Sequence, residues 1–257
     1  MSRQVAFMEE VKGWVYEAGD FVKEELRHVI TVEEKSNRHD LVTNVDKATE
    51  QFLVNKIKKH YPNDTIIGEE GTGKSVTSKD GRLWIIDPID GTLNFVKQQE
   101  NFCIMIGIFE GGKASYGFIY NVMKDEFAYG GRHTGIFINE KEIKNIDNIG
   151  IRDGLIGCNA QMYTENLYHA TDICKQAVGV RVLGCAGIDF LNVITGRQNG
   201  YLSKLAPWDF AAGVALAEPL GLICKQIPDL DYDILGDRQF FVVATEKTYH
   251  EIVSDFK

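Results

Sequence analysis

The chain has 257 residues, 44% of them apolar and 25% charged, the proportions of an ordinary soluble globular protein with room for one large domain or two small ones. A formal net charge of −9 disfavours nonspecific binding to a nucleic acid backbone, and no run approaches the roughly 18 uncharged apolar residues of a membrane span. The opening MSRQVAFMEEVKGW lacks a secretory signal pattern, so the expected location is the cytoplasm. Five scattered cysteines (Cys103, Cys158, Cys174, Cys185, Cys224) form no C-x-x-C pair and read as buried thiols, not as a disulfide or zinc framework.

Apolar residues at three-to-four spacing predict an amphipathic helix over 5–30. Residues 33–40 are polar and read as a mobile loop. Thr43-Asn44-Val45-Asp46 has the form of a capping box opening a second helix, which Tyr61-Pro62-Asn63-Asp64 stops. A strand over 65–68, a Gly/Ser/Lys-rich loop and a strand over 82–86 follow, with Pro88 expected to end that strand. Short apolar runs over 102–108, 114–120, 122–129 and 135–138 read as an antiparallel meander. After about Asn148 strands and helices alternate: a strand near Leu155, a helix over 164–178, a strand over 181–183 and a helix over 188–195. A strand at Tyr201, a helix over 209–218, strands near Leu222 and Phe241 and a helix from Lys247 complete the chain. The expected organisation is an α+β subdomain over 1–147 carrying most of the candidate ligands, and an α/β subdomain over 148–257 completing the site.

One motif misleads. Gly68-Glu69-Glu70-Gly71-Thr72-Gly73-Lys74-Ser75 matches the phosphate-loop pattern G-x-x-x-x-G-K-[ST] letter for letter. Such a loop must run into a helix, whereas 76–81 is short, polar and closes on Asp-Gly. The seven residues between Ser75 and Leu83 look too few for the crossover between parallel strands, and two glutamates would put negative charge in an anion cradle. The better reading joins two neighbouring strands by a surface flap.

The strand ends would then bring Glu69 and Glu70 close to Asp87 and Asp90. Four such carboxylates repel one another unless cations bind among them, and oxygen-only donors favour Mg²⁺, or Mn²⁺, over zinc. Gly91-Thr92 offers a helix start whose amides can hold phosphate, and Thr92 with Glu69 could activate a metal-held water, although Thr92 alone reads as a helix cap. Asp209 reads as an N-cap acid or as a fifth carboxylate. Asp46 reads as a capping acid or as a partner orienting Thr92. The histidines show no ligand spacing, and no Ser or Cys sits in a nucleophile motif.

Asp40-Leu41-Val42-Thr43 with Asp46, Gly68-Glu69-Glu70, Trp84 to Phe95 (WIIDPIDGTLNF), and Trp208-Asp209 with Ala211-Ala212-Gly213 together resemble the inositol monophosphatase family of Mg²⁺-dependent, lithium-sensitive phosphatases. The resemblance implies a layered αβαβα sandwich, a homodimer, and two or three Mg²⁺ ions. Glu69, Asp87 and the Ile89 carbonyl would hold the first ion, Asp87, Asp90 and Asp209 the second, and Glu69 with Glu70 a third. Thr92 supported by Asp46 would activate water, the amides of Gly91 and Thr92 would bind phosphate, Gly184-Cys185-Ala186 would touch substrate, and Lys35 would belong to a mobile loop near the metals. Inositol-specific members carry a glutamate seven residues before the Trp-Asp aspartate; that position is Leu202 here, which cannot accept sugar hydroxyls. The expected enzyme hydrolyses small phosphate monoesters such as inositol monophosphates, with NADP(H), 3′-phosphoadenosine 5′-phosphate or fructose 1,6-bisphosphate as alternatives. A metal-binding regulatory protein is the non-enzymatic alternative. No nucleic acid or membrane partner is expected.

Overall fold

The computed structural model describes residues 2–35, 38, 41–73 and 75–254. The first helix, α1 (Arg3–Glu25), buries Met8, Val11, Trp14, Val15, Ala18 and Val22 along one stripe. It stops short of residue 30 because the stripe outruns the core: Val29 is 92% exposed and has nothing to pack on. The polar stretch after it is partly a hairpin, with β1 (Val32–Glu34) pairing antiparallel to β2 (Leu41–Thr43). All three β1 residues are exposed, so no apolar alternation marks the strand. The Asp40 and His39 of this segment lie outside the described residues.

The capping box is present. Thr43 caps α2 (Asn44–His60), and Asp46 reaches back to the Thr43 amide at 2.9 Å, a device worth about 1 kcal/mol. Then come β3 (Thr65–Gly68), β4 (Arg82–Asp90), α3 (Thr92–Gln98) and the meander β5 (Cys103–Glu110), β6 (Lys113–Asn121), β7 (Glu126–Gly131), β8 (Gly135–Ile138) and β9 (Lys141–Ile143). These seven strands form one sheet in the order β3-β4-β5-β6-β7-β8-β9, antiparallel throughout except that β3 and β4 run parallel. The short-crossover objection to parallel strands therefore fails: β3 and β4 run parallel, and the described residues between them form an irregular flap that contains no helix.

A second, five-stranded sheet is built from the rest. Here β10 (Leu155–Cys158), α4 (Ala160–Glu165), α5 (Ala170–Cys174), β11 (Gly179–Arg181), α6 (Ala186–Ile194), β12 (Gly200–Leu205), α7 (Pro207–Ala217), β13 (Ile223–Gln226), β14 (Gln239–Ala244) and α8 (Glu246–Ser254) follow in turn. The strand order is β11-β10-β12-β14-β13. The helix expected over 164–178 is instead two short pieces, because Asn166, Tyr168 and His169 all take positive φ, and the Asn166 side chain accepts the Thr171 amide at 2.9 Å. The strand expected over 181–183 lies slightly earlier.

Three cores alternate with these elements. One joins α1 and α2 to the outer face of the large sheet, one surrounds α6 and α7 between the two sheets, and one joins α4, α5 and α8 to the outer face of the small sheet. The result is the expected αβαβα sandwich. The central layer is tight because its contacts are glycine and alanine: a Cβ on Gly107 would lie 2.6 Å from Ala211, and one on Gly117 would lie 2.2 Å from the Ala212 carbonyl. The small residues after Asp209 are thus what lets α7 lie against β5 and β6, bringing an acid of the second half over a strand of the first.

Candidate active site

The site grows from an irregularity in β4. Asp87 pairs with Met105 and Asp90 with Cys103, so Pro88 and Ile89 of β4 oppose the single residue Ile104 of β5, and the strand carries a bulge there. The strand does not stop at Pro88; it continues to Asp90. Alternation would send residues 87 and 90 to opposite faces. The bulge cancels that, and both acids share the face of Met105 and Cys103, which belong to the central core.

Each acid is held by short-range polar contacts. Asp87 Oδ1 accepts the Ile89 amide at 3.1 Å. Asp90 Oδ2 accepts the Gly187 amide at 2.5 Å, and the thiols of Cys185 and Cys103 donate to it at 3.1 and 3.6 Å. Among the described residues, Asp90, Cys103 and Cys185 are the group of donor atoms close enough together to hold an ion. Burial pushes the Cys103 thiol up to about 12 and the Cys185 thiol well above its ordinary value, so these sulfurs act as hydrogen-bond donors to Asp90.

Asp209 arrives from α7. It is not the N-cap, since the helix opens one residue after Ala206; it is the third helical residue, and its Oδ2 accepts the Ala206 amide at 2.8 Å and the Arg238 guanidinium at 2.9 Å. Arg238 was invisible in the sequence, because nothing local ties it to Asp209. Lys35 bridges Glu69 at 2.9 Å and Glu70 at 2.7 Å.

Electrostatics bind the acids into one unit. Burial first, then Glu69, Asp90 and Asp209, hold Asp87 well above the usual carboxylate range. Asp90 is raised by burial against the pull of the Gly187 amide, and Asp209 is raised by burial to about 6 despite Arg238. Glu69 is raised by burial, with Lys35 opposing and Asp209 adding, and Glu70 is likewise raised by burial. Acids so placed either keep protons or neutralise one another through a cation. The donor set of hard, buried carboxylate oxygens fits a divalent ion of the Mg²⁺ kind.

Beside the acids, Gly91 takes a left-handed conformation (φ +86°) and opens α3. A Cβ there would stand 3.0 Å from Cys185, so the turn needs glycine on both counts. Thr92 Oγ1 lies 3.0 Å from Asp46 Oδ1 and 3.0 Å from the Ile89 carbonyl. Asp46 serves both purposes at once, capping α2 with one oxygen and meeting Thr92 with the other. Its pKa is raised, by burial first. The turn of Gly184, Cys185 and Ala186 closes the other side, tied to α3 through Asn94, which donates to the Leu183 carbonyl at 2.8 Å.

The flap explains the false phosphate loop. Glu50, buried on α2, accepts the Glu70 amide at 2.7 Å, the Thr72 amide at 3.2 Å and the Thr72 hydroxyl at 2.7 Å. The amides that a phosphate loop would offer to phosphate are thus engaged by a carboxylate, and no helix follows among the described residues of the flap. Lys74 lies outside the described residues. Glu50 escaped the sequence reading because it sits in a charged helix with nothing to mark it as buried.

Leu202 also needs correction. It pairs with Cys158 and Val242 and is buried with them in the outer core, on the face away from α6 and α7. Its neighbour Ser203 lies on the inward face with Tyr201 and Leu205. Counting seven residues back from Asp209 therefore names a residue that does not face the site.

Comparison with known proteins agrees with this geometry. Residues 4–252 match the model of the inositol monophosphatase family. The chain belongs to that family. It is 41% identical to an inositol-1-monophosphatase of Bacillus subtilis over 250 residues, covering 95% of this chain and 94% of the relative. Among solved structures, 2′AMP-bound SaIMPase-II, of the Staphylococcus aureus type, superposes with a TM-score of 0.87 at 33% identity, covering 98% of this chain and 94% of that one. An IMPase/NADP phosphatase complexed with Mg²⁺ and phosphate superposes with a TM-score of 0.89 at 26% identity, covering 98% and 95%. The chain is accordingly a phosphoric monoester hydrolase of a family that uses divalent metals. Among the described residues no helix of this phosphatase is long and apolar enough to cross a membrane.

Proposed function

We propose that the phosphatase hydrolyses small phosphate monoesters of the inositol monophosphate and NADP type with two or three Mg²⁺ ions. Glu69, Asp87, Asp90, Asp209, Glu70 and the Ile89 carbonyl would hold the ions. When bound, they would neutralise the acids, polarise the phosphate and acidify the attacking water. The observation that carries this reading is the convergence of buried acids from β4, the flap and α7 on one face, next to a hydroxyl that is itself paired with a buried carboxylate.

The chain's own residues supply the rest. Thr92 has one hydroxyl hydrogen. Donated to Asp46, it leaves the oxygen's lone pairs free to accept from water, so Thr92 and Glu69 orient the nucleophile and the proton passes through Thr92 toward Asp46. Burial raises the pKa of Asp46, which favours its taking that proton. The amides of Gly91 and Thr92 would hold phosphate oxygens, and Gly184, Cys185 and Ala186 would border the leaving alcohol. Lys35 would release Glu69 and Glu70 as metal enters.

The remaining expectations belong to the same proposal. Residues 1–147 and 148–257 form two subdomains sharing the site, and the protein works as a cytoplasmic homodimer; the buried free cysteines fit a reducing compartment. The test is phosphate release from inositol 1-phosphate, NADP and fructose 1,6-bisphosphate with and without Mg²⁺. Mg²⁺-dependent, lithium-inhibited turnover is expected. Failure of every monoester to release phosphate at saturating Mg²⁺ would reject the proposal.

A further inference from the structure

At Asp90 the donors change character. Toward Glu69, Asp87 and Asp209 its neighbours are carboxylates, whereas toward β5 and the turn before α6 they are sulfurs. The Cys103 and Cys185 sulfurs lie 3.7 Å apart, and Asp90 Oδ2 lies 3.6 Å from the first and 3.1 Å from the second. These cysteines are 82 positions apart in the chain, so no spacing in the sequence marks them as a pair. Met105 and Gly187 complete the surroundings. A Cβ on Gly187 would collide with Cys103 Sγ and stand 2.8 Å from Met105 Sδ and 3.2 Å from Asp90 Oδ2. A thiol, a thioether and a carboxylate oxygen thus crowd round the place where any larger residue would begin its side chain.

We propose that Asp90, Cys103 and Cys185 form a binding site for a thiophilic d¹⁰ dication of the Zn²⁺ kind, separate from the carboxylate positions assigned to Mg²⁺ and antagonistic to them. Distance selects the ion. Two sulfurs about 2.3 Å from one tetrahedral zinc stand about 3.8 Å apart, and a sulfur and a carboxylate oxygen about 3.5 Å apart. The three contacts agree with these spacings to within about 0.4 Å. Mg²⁺ takes oxygen donors in an octahedral arrangement and gains nothing from the sulfurs. Zinc accepts sulfur and carboxylate oxygen alike.

Charge balance points the same way. Each thiol gives up one proton to solvent as the dication enters, so two protons leave for two positive charges gained, and the net charge of the buried group is unchanged. The sulfurs can therefore become thiolates in a place where burial opposes a bare anion. Asp90, 8% exposed, is the member nearest solvent. The consequence for catalysis rests on the phosphatase reading. Asp90 is there a ligand of the second Mg²⁺, so a dication on its sulfur flank draws on the same carboxylate and repels the ion across it. Zinc would inhibit through sulfur.

The test titrates Cd²⁺, a thiophilic stand-in for zinc, into the metal-free full chain and follows the ultraviolet sulfur-to-cadmium charge-transfer band, to which carboxylate-held cadmium does not contribute. A band that saturates at one Cd²⁺ per chain is expected. It should vanish in Cys103→Ser and in Cys185→Ser, each of which keeps a hydrogen-bond donor for Asp90, and persist in Cys158→Ser, which removes a thiol of the outer core. No band in the wild type, or a band that survives both of the first two substitutions, would overturn the site; should one of those variants not fold, the other carries the same comparison. In turnover with Mg²⁺, the Zn²⁺ concentration for half-inhibition, each protein measured against its own uninhibited rate, should rise at least about tenfold in Cys103→Ser. An unchanged value would mean that zinc acts on the carboxylates alone and would overturn the antagonism. A band that behaves as expected in a protein that hydrolyses no monoester would reject the phosphatase reading and leave the metal site standing.

Discussion

Two groups of acids meet at this site and are held in opposite ways. Asp87 and Asp90 stand on a bulged strand in the middle of the molecule, and their firm contacts are backbone amides and thiols. Glu69, Glu70 and Asp209 come from a flap and a helix start, and cations grip them: Lys35 on the glutamates and Arg238 on Asp209. The first pair is positioned before any metal arrives. The second group is occupied by side-chain cations, which a metal bound as proposed would displace. Under the proposed metal assignment, the first half would set geometry and the second, exchangeable half would set affinity.

The largest expected effect tests the first half. Asp87→Asn removes a carboxylate shared by the proposed ions while preserving shape, so kcat/KM should fall by on the order of 10³-fold or more. The metal-free protein should melt no lower than the wild type, because the change relieves repulsion among buried acids. Substantial Mg²⁺-dependent turnover in this variant would contradict the assignment of Asp87. A smaller effect is expected in the exchangeable half. Glu50→Gln leaves a buried amide where a carboxylate held the flap, weakening its grip on the Glu70 and Thr72 amides. The Mg²⁺ concentration for half-maximal activity should rise about tenfold, the scale of lost support around metal ligands. An unchanged Mg²⁺ dependence would mean that the flap does not rely on Glu50.

The mildest test uses pH. A carboxyl whose pKa is higher in the folded state holds its proton more tightly folded than unfolded, so folding stability falls as pH rises between the two values. For Asp209 the window runs from the ordinary 3.8 to about 6, and the loss is on the order of 3 kcal/mol in the metal-free protein. Mg²⁺ opposes this loss by binding the ionised acids. The gain in melting temperature on adding Mg²⁺ should therefore grow as pH is raised through that window. A gain independent of pH over the window would separate Asp209 from the metal centre.

Much of the fold was legible from local pattern. The capping box of α2, the strand at 65–68, the meander and the alternation of the second half all follow from side-chain periodicity and turn chemistry, which act over a few residues. Errors fell where a local pattern has no tertiary support or hides it. The stripe of α1 ran past its core, the exposed strand β1 gave no alternation, and left-handed residues cut the helix expected over 164–178.

The sequence by itself determined the family, the acids of the WIIDPIDGT block and the chemistry of clustered hard oxygens, because residue type and short spacing decide those. Tertiary structure alone decided the rest. It turned Asp87 and Asp90 to one face through a bulge and laid Asp209 over them by packing α7 on glycines. It also placed Arg238 and Lys35 on the acids, gave the flap amides to Glu50 and turned Leu202 away from the site. Each of these joins residues far apart in the chain or depends on which face of a strand is buried, and neither can be read from neighbours in sequence.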